Sequence, residues 1–116
     1  MIYIGSPYTA NPELNYRWNL ELTGLLMKED SQRIYYNPIC YGHQFKDVVG
    51  IDFKAWYWHN LDFMKISESM LVLCLDGWQD SAGLQYEIDY FKSMNKPVTY
   101  MTKEHILNIL RNENDN

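Results

Sequence analysis

The chain has 116 residues, 47% hydrophobic and 16% aromatic, with a net charge of −5 and no basic block. That length suits one domain, residues 1–116, with a buried core, and leaves little room for a second. Duplex nucleic acid is a poor match as a partner, because displacing counterions takes clustered Lys and Arg, whereas one small phosphate needs only a few backbone N–H groups.

In chain order, Met1 to Ile4 reads as a short buried strand cut off by Gly5-Ser6-Pro7. Asn11-Pro12 has the form of an N-cap and a helix-starting proline. Leu14, Trp18, Leu22, Leu25 and Leu26 follow at helical spacing, so a first helix is predicted to about Glu29. Arg33 to Tyr36 is a second strand ending at Asn37-Pro38, and a loop through His43 and Phe45 follows. A second helix is predicted from about Asp52 to Glu68. Its Trp56, Tyr57 and Trp58 read as core or as an interface between copies. Met70 to Leu75 is apolar throughout, as a central parallel strand covered on both faces should be. Ser81 opens a third helix to about Met94, Val98 to Met101 is a fourth strand, and Thr102 caps a last helix with a polar, frayed tail. Alternation of this kind implies an α/β fold with a mostly parallel sheet of four to five strands flanked by helices, and a ligand site beyond the C-terminal strand ends.

No apolar stretch is long enough to span a bilayer, and Met1-Ile2-Tyr3-Ile4 is too short and too uncharged for a signal peptide, so the cytoplasm is the expected compartment. Cys40 and Cys74 are too far apart in sequence to suggest a zinc site or a disulfide framework.

Three post-strand loops are expected to meet at one sheet edge: Gly5-Ser6-Pro7-Tyr8, the loop holding His43, and Asp76-Gly77-Trp78-Gln79-Asp80-Ser81. Gly5 permits a close backbone approach. Ser81 reads either as a plain N-cap or as an anion site at a helix N-terminus. On the helix it opens, Leu84, Ile88, Phe91 and Met94 define an apolar arc, and Glu87 falls inside that arc while Asp89 points away. A carboxylate there is costly unless paired or used; the other reading is a residue at the edge of the stripe. Six residues separate Ser81 from Glu87, roughly 9 Å along a helix. That is the scale between a nucleotide's 5′-phosphate and its anomeric carbon. Tyr8 reads either as a hydroxyl that bonds such a carboxylate or as a ring packed over the sheet end. Asn60 and Asp62 either reach the pocket or are solvated, and His43, which follows a glycine in its loop, reads either as a substrate-binding group or as a surface histidine.

Three segments together resemble a family: Met1 to Thr9, Asn37-Pro38-Ile39 with His43, and Asp76 to Ile88. They are similar to the DUF1937 proteins, within the nucleoside 2-deoxyribosyltransferase-like superfamily, over nearly the whole chain. The resemblance implies a flavodoxin-like (Rossmann-like) fold and a homodimer or larger homo-oligomer. It implies a glutamate nucleophile on C1′, which is Glu87 here, oriented by an N-terminal tyrosine, here Tyr8. Six positions before the glutamate, a serine is the form found in nucleotide hydrolases, and here it is Ser81. The superfamily's base-side aspartate corresponds to Asn60 or, one register away, to Asp62.

The expected function is an N-glycosidase that cleaves the base–sugar bond of a (deoxy)nucleoside 5′-monophosphate through a glycosyl ester on Glu87. Ser6, Ser81 and the backbone around Gly83 would hold the phosphate, with Gly5, Pro7, Asp76, Gly77 and Trp78 forming the surrounding loops. No metal or redox cofactor is implied. The rivals are a deoxyribosyltransferase acting on free nucleosides and a non-catalytic protein that binds a nucleotide or an ADP-ribose-like ligand.

Overall fold

The computed structural model describes residues 1–48 and 53–115. Among them are four strands, β1 (Ile2–Gly5), β2 (Tyr35–Tyr36), β3 (Ser69–Cys74) and β4 (Val98–Thr102). Five helices accompany them: α1 (Pro12–Glu29), α2 (Pro38–Gly42), α3 (Phe53–Ile66), α4 (Ala82–Ser93) and α5 (Lys103–Asp115). The strands form one parallel sheet in the order β2-β1-β3-β4. This is an α/β fold of flavodoxin-like form. The chain order reverses between β1 and β3, the place where open parallel sheets bind ligands.

Strand alternation sorts the core into two layers. Tyr3, Met70 and Val72 face Met64 of α3 and Leu84, Ile88 and Phe91 of α4. Ile4, Leu73 and Leu75 face Leu22 of α1 and Ile106 of α5. The sheet is thus covered on both faces, which explains why β3, paired on both edges, carries an unbroken apolar run.

Most element boundaries follow from local chemistry. Pro12 starts α1, and Ser81 caps α4 by accepting from the Leu84 N–H at 3.4 Å. Thr102 Oγ1 accepts from the His105 N–H at 3.2 Å. The expected start of α3 at Asp52 lies outside the described residues. Three differences from expectation are informative. Residues 38–42 form a short helix, not a loop, because the Asn37 side chain accepts from the N–H groups of Ile39 and Cys40. The polar C-terminal stretch continues α5 to Asp115. On α1, Leu14 is exposed while Asn15, Asn19 and Thr23 are buried.

That buried polar stripe organises the loops. Asn19 Nδ2 donates to Ser6 Oγ at 2.9 Å and to the Asn15 carbonyl at 2.7 Å. Asn37 Nδ2 donates to Asn19 Oδ1 at 2.8 Å and to Thr23 Oγ1 at 2.9 Å. The chain of bonds ties the loop after β1 to α1 and to the start of α2. A buried amide is tolerated only when its donors and acceptors are met.

Candidate active site

A cavity of about 570 Å³ opens beyond the C-terminal end of β1. Ser6, Tyr8 and Thr9 form one wall; Pro38, Ile39, His43 and Lys46 form a second; Trp56, Tyr57, Asn60 and Met64 of α3 form a third. The first turns of α4 close it with Ser81, Ala82, Gly83, Leu84 and Glu87. Its volume suits a ligand of nucleotide size.

Glu87 is the defining group. The apolar residues that anchor α4 to the sheet, Leu84, Ile88 and Phe91, place it on the buried side of the helix. Burial pushes its carboxyl up to about 7, and a hydrogen bond from the Tyr3 hydroxyl to Oε2 draws it partly back. The Tyr3 phenol is itself held well above its ordinary range by burial and by the adjacent carboxylate. Gly5 makes the arrangement sterically possible. A Cβ there would run into Met70 Cε and lie 2.8 Å from Leu84 Cδ1. A side chain at this strand end would push the ends of these two core side chains aside.

Tyr3 was the missed residue. The hydroxyl that holds Glu87 comes from inside β1, not from Tyr8 in the following loop. Tyr8 bonds His43 instead, with its hydroxyl 2.6 Å from Nδ1. One signal for Tyr3 was available: a tyrosine inside a short buried strand needs a partner for its hydroxyl. His43 is likewise no surface residue; it is buried, stacked on Tyr16 with ring centroids 4.0 Å apart.

Asn60 lines the cavity and accepts from the Tyr36 hydroxyl at 3.2 Å. Asp62 does not: its side chain is 87% exposed and faces Lys65 at 3.9 Å. The two residues are 200° apart on the helix at about 100° per residue, so only one can face the pocket. Asp76 and Gly77 are also outside. Asp76 pairs with Lys103 at 2.9 Å, and Gly77 provides a left-handed turn at φ 82°. Trp78 packs against Tyr100 and the core beneath α4. Pro7 accepts the Ser6 hydroxyl through its carbonyl at 2.9 Å. Ser6 therefore reaches the cavity with its proton already committed. Trp56 and Tyr57, expected in the core or an interface, are cavity walls, and Trp58 is exposed.

The profile of the family described as Domain of unknown function (DUF1937) matches residues 1–103. The chain belongs to the DUF1937 family. The match takes in all four strands, the cavity walls and Glu87, so the site lies wholly within the family domain. No curated protein matches the chain. Among the described residues, no cluster of three or more His, Cys, Asp or Glu side chains is placed to hold a metal ion, and no helix is long and apolar enough to cross a membrane.

This DUF1937 site can do nucleophilic work. A carboxyl near the neutral range is ionised for about half of the molecules at pH 7, and a desolvated carboxylate loses less solvation when it attacks carbon. The N-terminal turn of α4 lies along the same cavity, where backbone N–H groups and the helix dipole favour an anion.

Proposed function

We propose that this DUF1937 protein is an N-glycosidase that removes the base from a (deoxy)nucleoside 5′-monophosphate by a retaining, two-step route. The observation that carries the reading is Glu87: a partly buried carboxyl packed beside apolar neighbours, held by Tyr3, and set in the wall of a nucleotide-sized cavity. The resemblance of Asp76 to Ile88 to the nucleoside 2-deoxyribosyltransferase-like superfamily supports the same assignment.

In the first step a Glu87 oxygen attacks C1′ as the base departs, through an oxocarbenium-like transition state. Tyr3 holds Oε2 and orients the attack. In the second step water displaces the sugar phosphate from Glu87. Ser81 and the turn around Gly83 are the phosphate side, and Asn60 contacts the base. Asp62, exposed and paired with Lys65, has no part in this scheme.

The test is a panel of deoxynucleosides and their 5′-monophosphates incubated with the pure protein. A charge-assisted hydrogen bond contributes about 1.5–3 kcal/mol. The monophosphate should therefore be favoured by about one to three orders of magnitude in kcat/KM. Glu87→Ala should abolish base release, and a 2-fluoro analogue should add its sugar mass at Glu87. Faster turnover of free nucleosides would point to the transferase. Tight binding without released base would point to a ligand-binding protein.

A further inference from the structure

The same cavity is lined by Tyr8, His43 and Lys46, which Glu13 behind them joins into a chain of polar groups that the nucleophile does not use. Tyr8 Oη lies 2.6 Å from His43 Nδ1, and His43 Nε2 lies 3.3 Å from Glu13 Oε2. Lys46 bonds the other oxygen of Glu13 and holds that carboxyl below its usual range, hence ionised. The imidazole is buried, stacked on Tyr16 at 17° between planes, and met edge-on by Tyr8 at 80°. Its plane and both nitrogens are therefore committed.

The protonation pattern follows. A carboxylate only accepts, so Glu13 calls for a proton on Nε2. In neutral His43, Nδ1 is then the acceptor and the Tyr8 hydroxyl donates to it. When the imidazole is doubly protonated, Nδ1–H donates to Tyr8 and the phenolic proton is free to point into the cavity. The sequence carboxylate–imidazole–hydroxyl is that of a catalytic triad, with a phenol at the end. Burial raises the Tyr8 pKa, as do the charges of Glu13 and Asp47, while Lys46 opposes them, so Tyr8 keeps its proton between transfers. Asn60 cannot transfer a proton as an amide, and Asp62 lies outside the cavity.

We propose that Tyr8, His43 and Glu13 form the proton relay that serves as acid and base partner to Glu87; this rests on the N-glycosidase reading. In the first step the C1′–N bond breaks and the C1′–O bond to Glu87 forms. The departing base takes the Tyr8 proton on a ring nitrogen, and Tyr8 is refilled from His43 Nδ1. In the second step water forms its bond to C1′ and gives a proton to Tyr8, whose own proton returns to Nδ1. The C1′–O bond to Glu87 breaks, and its electron pair returns to the carboxylate. The cycle ends with the protons of Tyr8 and His43 placed as they were when it began. Tyr8 is the catalytic residue of the relay; His43 and Glu13 act through it.

Two measurements decide the matter. The first compares a nucleoside 5′-monophosphate with the same sugar phosphate carrying 4-nitrophenolate at C1′, a leaving group that needs no proton. Tyr8→Phe and His43→Gln should lower turnover of the monophosphate by about 10²–10⁴-fold, the usual contribution of acid–base catalysis. The nitrophenolate burst should persist, the glycosyl ester on Glu87 should accumulate, and azide should restore turnover as a glycosyl azide. Equal loss on both substrates without azide rescue overturns the relay and leaves Glu87 in place. No base release and no ester with the unaltered protein overturns the N-glycosidase reading, and the relay with it. The second measurement needs no substrate: nitrogen NMR of the unaltered protein at alkaline pH should find the His43 proton on Nε2, and a proton on Nδ1 instead overturns the relay.

Discussion

Glu87→Gln should stabilise the protein at alkaline pH, and the gain can be worked out from the site. The Glu87 carboxyl is raised from 4.5 to about 7, chiefly by burial. A carboxyl whose pKa is raised on folding binds its proton more tightly in the folded state. Stability is therefore fullest below the unfolded pKa and is lost as pH rises through the folded one. A shift of this size corresponds to about 3 kcal/mol at pH 8.5, where both states are ionised, and to about 1 kcal/mol at pH 5. The apolar contacts of Leu84, Ile88 and Phe91 contribute about 2 kcal/mol each, enough to hold α4 in place despite that cost. Glutamine keeps the shape and an acceptor for Tyr3 but carries no charge. Chemical denaturation of parent and variant at pH 5 and pH 8.5 should show the gap widening by about 2 kcal/mol in favour of Glu87→Gln. Taking the difference between the two proteins cancels the titration of every other group. A gap that stays constant with pH, or a variant no more stable than the parent at pH 8.5, would falsify the claim that Glu87 is held in a desolvated site.

The acid limb of base release by the parent should follow the ionisation of Glu87, at about 7. Tyr3→Phe removes the bond that draws this pKa down, so it should shift the acid limb of kcat/KM upward; an unmoved limb would show that Tyr3 does not tune the nucleophile. Gly5→Ala should cost about 1–3 kcal/mol in denaturation, because the added methyl group meets Met70 and Leu84; a neutral result would mean that the ends of these two side chains turn aside without cost. Asn60→Ala should lower kcat/KM by about tenfold or more for a lost contact to the base, while Asp62→Ala should leave it unchanged. The reverse ranking would restore Asp62 to the site.

Periodicity was enough for the architecture. Apolar residues recur along α4 with period 3.6, and the unbroken run in β3 marks a strand covered on both sides, so the α/β alternation and the parallel sheet were legible without coordinates. The same period put Glu87 within the apolar arc of its helix or at the edge of the stripe, because a helical wheel needs only local geometry; packing against the sheet decided between the two. Local chemistry likewise marked helix starts: capping hydrogen bonds at Ser81 and Thr102, and the proline alone at Asn11-Pro12, where the Asn11 side chain makes no capping bond. It was less reliable where a side chain had a distant partner. Asn15, Asn19 and Thr23 look like a solvated face of α1, yet they are buried because Ser6 and Asn37 meet their polar groups from other elements.

Partners across the sheet edge were decided by tertiary structure alone. Tyr3 and Glu87 are 84 positions apart, and Tyr8 and His43 are 35 apart. Both tyrosines lie near the same strand end, and nothing in their local sequence says which one reaches the carboxylate. Strand alternation turns Tyr3 toward α4, while the bend at Gly5-Ser6-Pro7 carries Tyr8 across to the α2 side. Asn60 and Asp62 were similarly equal until the rotation of α3 was known, because facing the cavity depends on how a helix seats against the sheet. The sequence determines the elements and the faces they bury, since these follow from bonds and burial within a few residues. Which polar groups meet at the end of β1 depends on packing between elements, and only the folded structure decides it.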